Sequence, residues 1–304
     1  MEDGMSHRSL SAEHVAFAYH GASEALIDVD IEVAPRSRVA LLGANGSGKT
    51  TLLRILAGSL RPSRGTVSLD HTPIKYGRAG LRTHRQNVQL VLQNPDDQLF
   101  SADVRHDIAF GPANLGLNTD EILERVDEAM RLLSITDLAD RPTHELSYGE
   151  RKRVTIAGAM AMRPCVLLLD EPTAGLDPAG VAEMFQALER LEESHTTVVL
   201  STHDAALALD WASSVAIVEG GTVRQGDPGE LLGDASLLAA ARLAAPWSLE
   251  LAALLARDGF LPQSLRPRNV SEVRASVAAH SLRHGGLRPG QRARPGCQER
   301  PLRY

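Results

Sequence analysis

Residues 43–50 read G-A-N-G-S-G-K-T, the spacing G-x-x-x-x-G-K-[ST] of a loop that cradles phosphate. Phosphate oxygens need many donors at close range, so the chain must turn backbone N–H groups inward without side-chain clashes. Gly46 and Gly48 permit that approach, and the helix that follows aims its N-terminus at the anion. Lys49 can reach terminal phosphates and Thr50 can ligate Mg²⁺. The expected nucleotide-binding residues are Gly43, Asn45, Gly46, Ser47, Gly48, Lys49, Thr50 and Thr51. A second group closes the stretch L-L-L-D-E, residues 167–171, where an apolar strand ends in two carboxylates. Acids at the carboxyl ends of parallel strands lie in the crevice where doubly wound sheets bind ligands. Asp170 can hold Mg²⁺, and Glu171 can orient and deprotonate an attacking water.

Gln93 and His203 terminate two further apolar runs. Alone, each is a plain polar strand end. Four polar strand ends around one phosphate loop point instead to a site that cleaves a nucleotide. Ser201, Thr202, His203 and Asp204 are contiguous, so they cannot by themselves adopt the geometry of a nucleophilic triad. The histidines and cysteines show no paired zinc-ligand spacing. One stretch resists a simple reading. L-S-Y-G-E-R-K-R, residues 146–153, carries a capping box in Ser147 and Glu150, yet places Tyr148 and Gly149 in a first turn that prefers better helix formers.

The elements that must position these groups follow from hydrophobic pattern. Residues 12–19 and 25–33 read as strands, with Ile27, Val29, Ile31 and Val33 alternating against acids in a half-buried antiparallel pattern. Continuous apolar runs at 38–42, 88–92, 165–170 and 196–202 read as strands buried on both faces, the mark of a parallel sheet covered by helices. Helices are expected after the phosphate loop up to Gly58, between about 179 and 193, and through much of 100–163. A strand at 66–69 is followed by no recognisable element before residue 88, and residues 214–226 read as a hairpin. The expected organisation is a main domain over residues 6–234 with a helical subdomain at about 97–164. A helical extension follows at 235–280, Ala/Leu-rich over 236–257, and then a basic, disordered tail at 281–304.

Composition removes several classes. Net charge is −6 and aromatics make up 4% of the 304 residues, which disfavours nucleic acid as a partner. Two cysteines give no disulfide framework. No secretory signal is evident, and apolar runs stop well short of the roughly 18–20 residues that cross a bilayer.

Taken in order, G-A-N-G-S-G-K-T, Gln93, L-S-Y-G-E, L-L-L-D-E-P-T-A-G-L-D-P and S-T-H-D resemble the ATP-binding cassette (ABC) ATPases over roughly residues 10–234. V-L-Q-N-P-D-D-Q-L-F and D-I-A-F-G-P-A-N-L-G-L are similar to the energy-coupling-factor importers, especially their cobalt-type ATPase subunit. The resemblance implies an α/β P-loop NTPase fold with a mostly parallel sheet, an N-terminal antiparallel β subdomain and an inserted α-helical subdomain. It implies ATP and Mg²⁺ as ligands, with Thr50, Gln93 and Asp170 around the metal and Glu171, His203 and Gln93 in catalysis. L-S-Y-G-E becomes the signature loop, whose Ser147 and Gly149 face the ATP of a second, head-to-tail cassette. Asp177 couples the two sites. Tyr19 stacks on adenine in this scheme, with plain strand packing as the alternative.

Three departures from the family pattern L-S-G-G-Q and its surroundings are visible: Tyr148, Glu150 and His106. The charge of Glu150 should weaken a phosphate contact unless it turns back toward the cap. The implied partners are the second cassette, a transmembrane coupling protein and a substrate-binding membrane component, with the chain at the cytoplasmic face of the membrane. A soluble cassette acting on ribosomes or DNA is the rival reading. A non-hydrolysing binding module is a third.

Overall fold

Why the phosphate loop lies where it does follows from the strand that feeds it and the sheet around that strand. The computed structural model describes residues 8–20, 24–193 and 196–283. In chain order the elements are β1 (Leu10–Ala18), β2 (Glu24–Val33), β3 (Arg38–Leu42), α1 (Lys49–Leu56), β4 (Arg64–Leu69), β5 (Thr72–Pro73), α2 (Arg78–Asn87) and β6 (Val88–Val91). Then come α3 (Val104–Asn114), α4 (Thr119–Leu132), α5 (Tyr148–Met160), β7 (Val166–Leu169), α6 (Pro178–Glu193), β8 (Thr197–Thr202) and α7 (Ala205–Trp211). β9 (Ser214–Glu219), β10 (Thr222–Gly226), α8 (Pro228–Leu231), α9 (Ala235–Ala240), α10 (Trp247–Arg257) and α11 (Val270–Arg283) complete the described chain.

The strands order as β5-β4-β1-β2-β10-β9-β3-β8-β7-β6. From β9 to β6 all neighbours run parallel, whereas β2, β1, β4 and β5 pair antiparallel. The parallel strands are buried along their whole length in β7 and β8, which is why their sequences show no alternation. One face, carrying Val39, Leu41, Val166, Leu168 and Val199, shares a core with Leu52, Leu53, Ile55 and Leu56 of α1 and with the inner residues of β1 and β2. α1 is thus enclosed by apolar surface on two sides, and its N-terminus stands at the carboxyl end of β3. Helices α3, α4 and α5 pack on one another, and α5 also reaches β6.

Two local expectations are corrected and a third gains detail. Between the pairs Val15–Val29 and Phe17–Leu26, β2 gains one residue over β1. The bulge turns Leu26 inward and leaves Ile27 at 43% exposure, with its N–H on the Gly221 carbonyl. α2 occupies a stretch with no expected element; only His84 of its residues is buried, so it lacks the apolar stripe that announces a helix. The Ala/Leu-rich stretch 236–257 is two helices, because Arg242 takes a left-handed φ of 55° and Pro246 cannot continue a hydrogen-bonded turn. The chain divides there into two compact units, one ending at Pro246 and one beginning at Trp247. Residues 284–304, most of the expected basic tail, lie outside the described residues.

Candidate nucleotide site

The loop between β3 and α1 is shaped by glycines that tolerate no side chain. Gly43 has φ 152°, and a Cβ there would lie 2.5 Å from Ser47 Oγ and 2.7 Å from the Val218 carbonyl oxygen. Gly48 has φ 107°, with Ala25 O 2.9 Å from any Cβ. The loop borders a cavity of about 750 Å³ lined by Tyr19, Asn45, Gly46, Ser47, Gly48, Lys49, Thr50, Thr51, Gln93 and Glu171, together with Gly220 and Gly221. Lys49 is 6% exposed; its ammonium donates to the carbonyls of Gly43 (2.7 Å) and Ala44 (3.2 Å) and lies 3.5 Å from Glu171 Oε1. Tyr19 is 43% exposed, stands edge-on to Phe17 with ring centres 5.0 Å apart, and its hydroxyl meets Thr51 Oγ1 at 3.1 Å.

The two carboxylates at the end of β7 are held differently. Thr50 Oγ1 donates to Asp170 Oδ2, and Ser201 Oγ donates to Asp170 Oδ1, both at 2.7 Å. Glu171 follows at φ 48°, a left-handed conformation uncommon outside glycine. Its N–H donates to Ser201 Oγ at 2.9 Å, and His203 Nδ1 lies 3.3 Å from its Oε2. Ser47 Oγ is buried with no hydrogen-bond partner, and buried Glu171 Oε1 makes no hydrogen bond beyond its 3.5 Å ion pair with Lys49. Both belong to residues that line the cavity, as polar atoms awaiting a polar ligand do.

The expected residues Ser147, Gly149 and Asp177 are not part of this cavity. They line a second one of about 530 Å³ with Tyr148, Glu150, Arg153, Gly175 and Leu176. Asp177 Oδ1 accepts from Gly180 N at 2.7 Å and so caps α6. At the start of α5 the capping box is complete: Glu150 N donates to Ser147 Oγ (3.3 Å), and Ser147 N donates to Glu150 Oε2 (2.6 Å). Glu150 Oε1 accepts from Arg141 Nη1 at 3.2 Å. Burial acts to raise the Glu150 pKa, but the Ser147 hydrogen bonds and the Arg141 charge outweigh it and hold the carboxyl below its ordinary value. Glu150 therefore turns back toward the cap.

Two residues escaped the sequence reading. Ser201, fully buried, holds both Asp170 and the Glu171 N–H. Its signal, a hydroxyl near the end of a buried strand, is shared with Thr202 beside it and so does not single it out. Lys152 is 4% exposed and donates to the carbonyls of Glu171 (2.8 Å) and Pro172 (3.1 Å). Burial pushes its pKa down to about 8, against the pull of the Glu171 and Asp170 charges. Nothing in the basic run R-K-R marked the middle residue as the buried one.

A strand, a glycine-rich loop and a helix, with a polar crevice at the ends of the parallel strands, define a P-loop nucleoside triphosphatase. Residues 26–174 match the family described as ABC transporter. The chain is 46% identical to the cobalt import ATP-binding protein CbiO of Rhodobacter capsulatus, covering 90% of this chain and 99% of that protein. It is 38% identical to an energy-coupling factor transporter ATP-binding protein of Methanospirillum hungatei, covering 92% of this chain and 70% of the other. The solved structure of CbiO1 from Clostridium perfringens, described as part of the ABC transporter complex cbiONQ, superposes with a TM-score of 0.70. It shares 39% identity and covers 80% of this chain and 97% of its own. The chain belongs to the ABC transporter ATP-binding family and is an ATPase.

Proposed function

We propose that this chain is the ATP-hydrolysing subunit of an energy-coupling-factor type importer, driving uptake of cobalt, nickel or a vitamin through partner membrane proteins. The observation that carries the reading is a divided site. Lys49, Thr50, Glu171 and Gln93 meet in one cavity, while Ser147 and Gly149 line another. Each half requires the complementary half of a second cassette arranged head to tail. The names of the CbiO and energy-coupling-factor relatives support the importer class. No helix among the described residues is long and apolar enough to cross a membrane. In this reading, a transmembrane coupling protein and a small substrate-binding protein supply the spans, and the chain works at the cytoplasmic face.

In the proposed mechanism the triphosphate lies on the N-terminus of α1, within reach of the loop N–H groups. Lys49 exchanges its Gly43 and Ala44 carbonyls for the β and γ phosphates. Tyr19, exposed at the rim, stacks on the adenine. The available donors beside the loop are oxygens of Thr50, Asp170 and Gln93, which suit the hard cation Mg²⁺. When bound, Mg²⁺ neutralises phosphate charge. Glu171 orients a water and takes its proton as the oxygen bonds to the γ phosphorus and the bond to the β-phosphate oxygen breaks, giving ADP and phosphate. His203 holds the Glu171 side chain from the opposite side. From the partner cassette, Ser147 Oγ and the α5 N-terminus donate to the γ-phosphate.

The test is ATP turnover by Glu171→Gln beside the parent. Loss of turnover with retained ATP binding is expected; unchanged turnover removes Glu171 as the base.

A further inference from the structure

Glu171 is held in its left-handed turn at both ends. Ser201 takes its N–H, and Lys152 takes its carbonyl together with that of Pro172. Carbonyls of successive residues in an extended chain point to opposite sides. Here both converge on one ammonium, which makes Lys152 the clamp on the backbone change of direction that follows β7. The clamp is itself enclosed: the Tyr148 ring lies 5.3 Å from the Lys152 ammonium, within cation–π range. The Tyr148 hydroxyl donates to the Gln93 carbonyl at 3.5 Å, and its ring edge fills the space beside Gly175, 3.0 Å from where a Cβ would stand. Tyr148 and Lys152 are one turn apart on α5, on the same helix face.

We propose that Lys152 is the positioning residue for the catalytic carboxylate: its ammonium fixes the Glu171–Pro172 turn so that the Glu171 side chain faces Lys49 and the nucleotide cavity. The same lysine ties that turn to α5, the helix whose first residues line the cavity meant for the partner's nucleotide. Through Lys152, a displacement of the signature end of α5 reaches the base of the chain's own site by one hydrogen-bonded side chain. Tyr148, where the family carries glycine, braces the lysine. The proposal rests on Glu171 being the base, as proposed above.

Three proteins decide it: the parent, Glu171→Gln, and Lys152→Met, an unbranched side chain of similar volume without the donors. For Lys152→Met the expected kcat falls about 100-fold, the scale of an ångström misplacement of a reacting group. KM for ATP stays within about twofold, because no loop donor is touched. The variant should also retain uncleaved ATP after rapid gel filtration, as Glu171→Gln does. A parental kcat in Lys152→Met beside an inactive Glu171→Gln overturns the positioning role and leaves the base in place. An equal loss of ATP binding and turnover also overturns it, since that is the pattern of general structural damage. Full turnover by Glu171→Gln removes the base and the proposal with it.

Should Lys152→Met not fold, Lys152→Arg decides in its place. The planar guanidinium cannot occupy the ammonium's position 2.8 and 3.1 Å from the two carbonyls, so kcat should drop about tenfold at unchanged KM. Parental kcat in that variant overturns the proposal.

Discussion

Replacing Ser201 by alanine removes one oxygen that serves two masters. Ser201 is fully buried, donates to Asp170 Oδ1 at 2.7 Å and accepts from Glu171 N at 2.9 Å. Alanine leaves a buried N–H without a partner, at a cost of about 1–3 kcal/mol, and removes a hydrogen bond to a carboxylate, worth about 1.5–3 kcal/mol. Because one atom makes both contacts, the two do not simply add, and the expected loss of stability is about 2–4 kcal/mol. A urea titration followed by tryptophan fluorescence reads it as a lower midpoint at constant slope. Thr50 still holds the other Asp170 oxygen, so ATP binding should survive while turnover drops by about 10- to 100-fold through misplacement of Glu171. A stability change below about 0.5 kcal/mol together with parental turnover would show that neither hydrogen bond matters, and the reasoning from the strand end would be wrong.

Three further outcomes follow from the same geometry. Glu150→Gln should change turnover by less than about threefold, because the parent side chain already points to Ser147 N and Arg141, and a half-exposed ion pair is worth only about 0.2–1 kcal/mol; steady-state phosphate release checks it. Tyr19→Ala should raise KM for ATP about tenfold with little change in kcat, since stacking on a base contributes about 1–3 kcal/mol; GTP and ATP titrations measure it. Lys152 should titrate near its depressed pKa of about 8, readable by NMR of isotope-labelled lysine in a chain with few lysines. Because the unfolded chain keeps this lysine protonated up to its ordinary range, its contribution to folding stability should rise as pH increases from about 8 toward 10.5.

Much of the architecture is legible in sequence because burial on both faces leaves no alternation, as in V-L-L-L and T-V-V-L-S-T. The candidate site is legible for a different reason: a phosphate loop needs its glycines, and Gln93, Asp170, Glu171 and His203 are informative as a group beside that loop, though Gln93 or His203 alone reads as a plain strand end. What escaped was decided by tertiary contact. α2 is mostly polar, with Leu81 its one large apolar residue, and is anchored by His84, whose Nε2 lies 2.7 Å from the Leu56 carbonyl oxygen. Ile27 was placed by a bulge that no alternation rule contains. Lys152 sits between two arginines in sequence, and only the approach of α5 to the turn after β7 separates it from them. The charge of Glu150 is answered by Arg141, nine residues upstream and outside the signature stretch.

The central claim is that this ATPase drives an importer, and the direct measurement is isolation of the tagged chain from its native membranes in mild detergent, with mass spectrometry of what accompanies it. Recovery of a multi-span coupling protein and a small membrane protein is the predicted result, and the identity of the small protein would define the substrate. Recovery of ribosomes, DNA-associated factors or no membrane protein would leave an ATPase and contradict its assignment to transport.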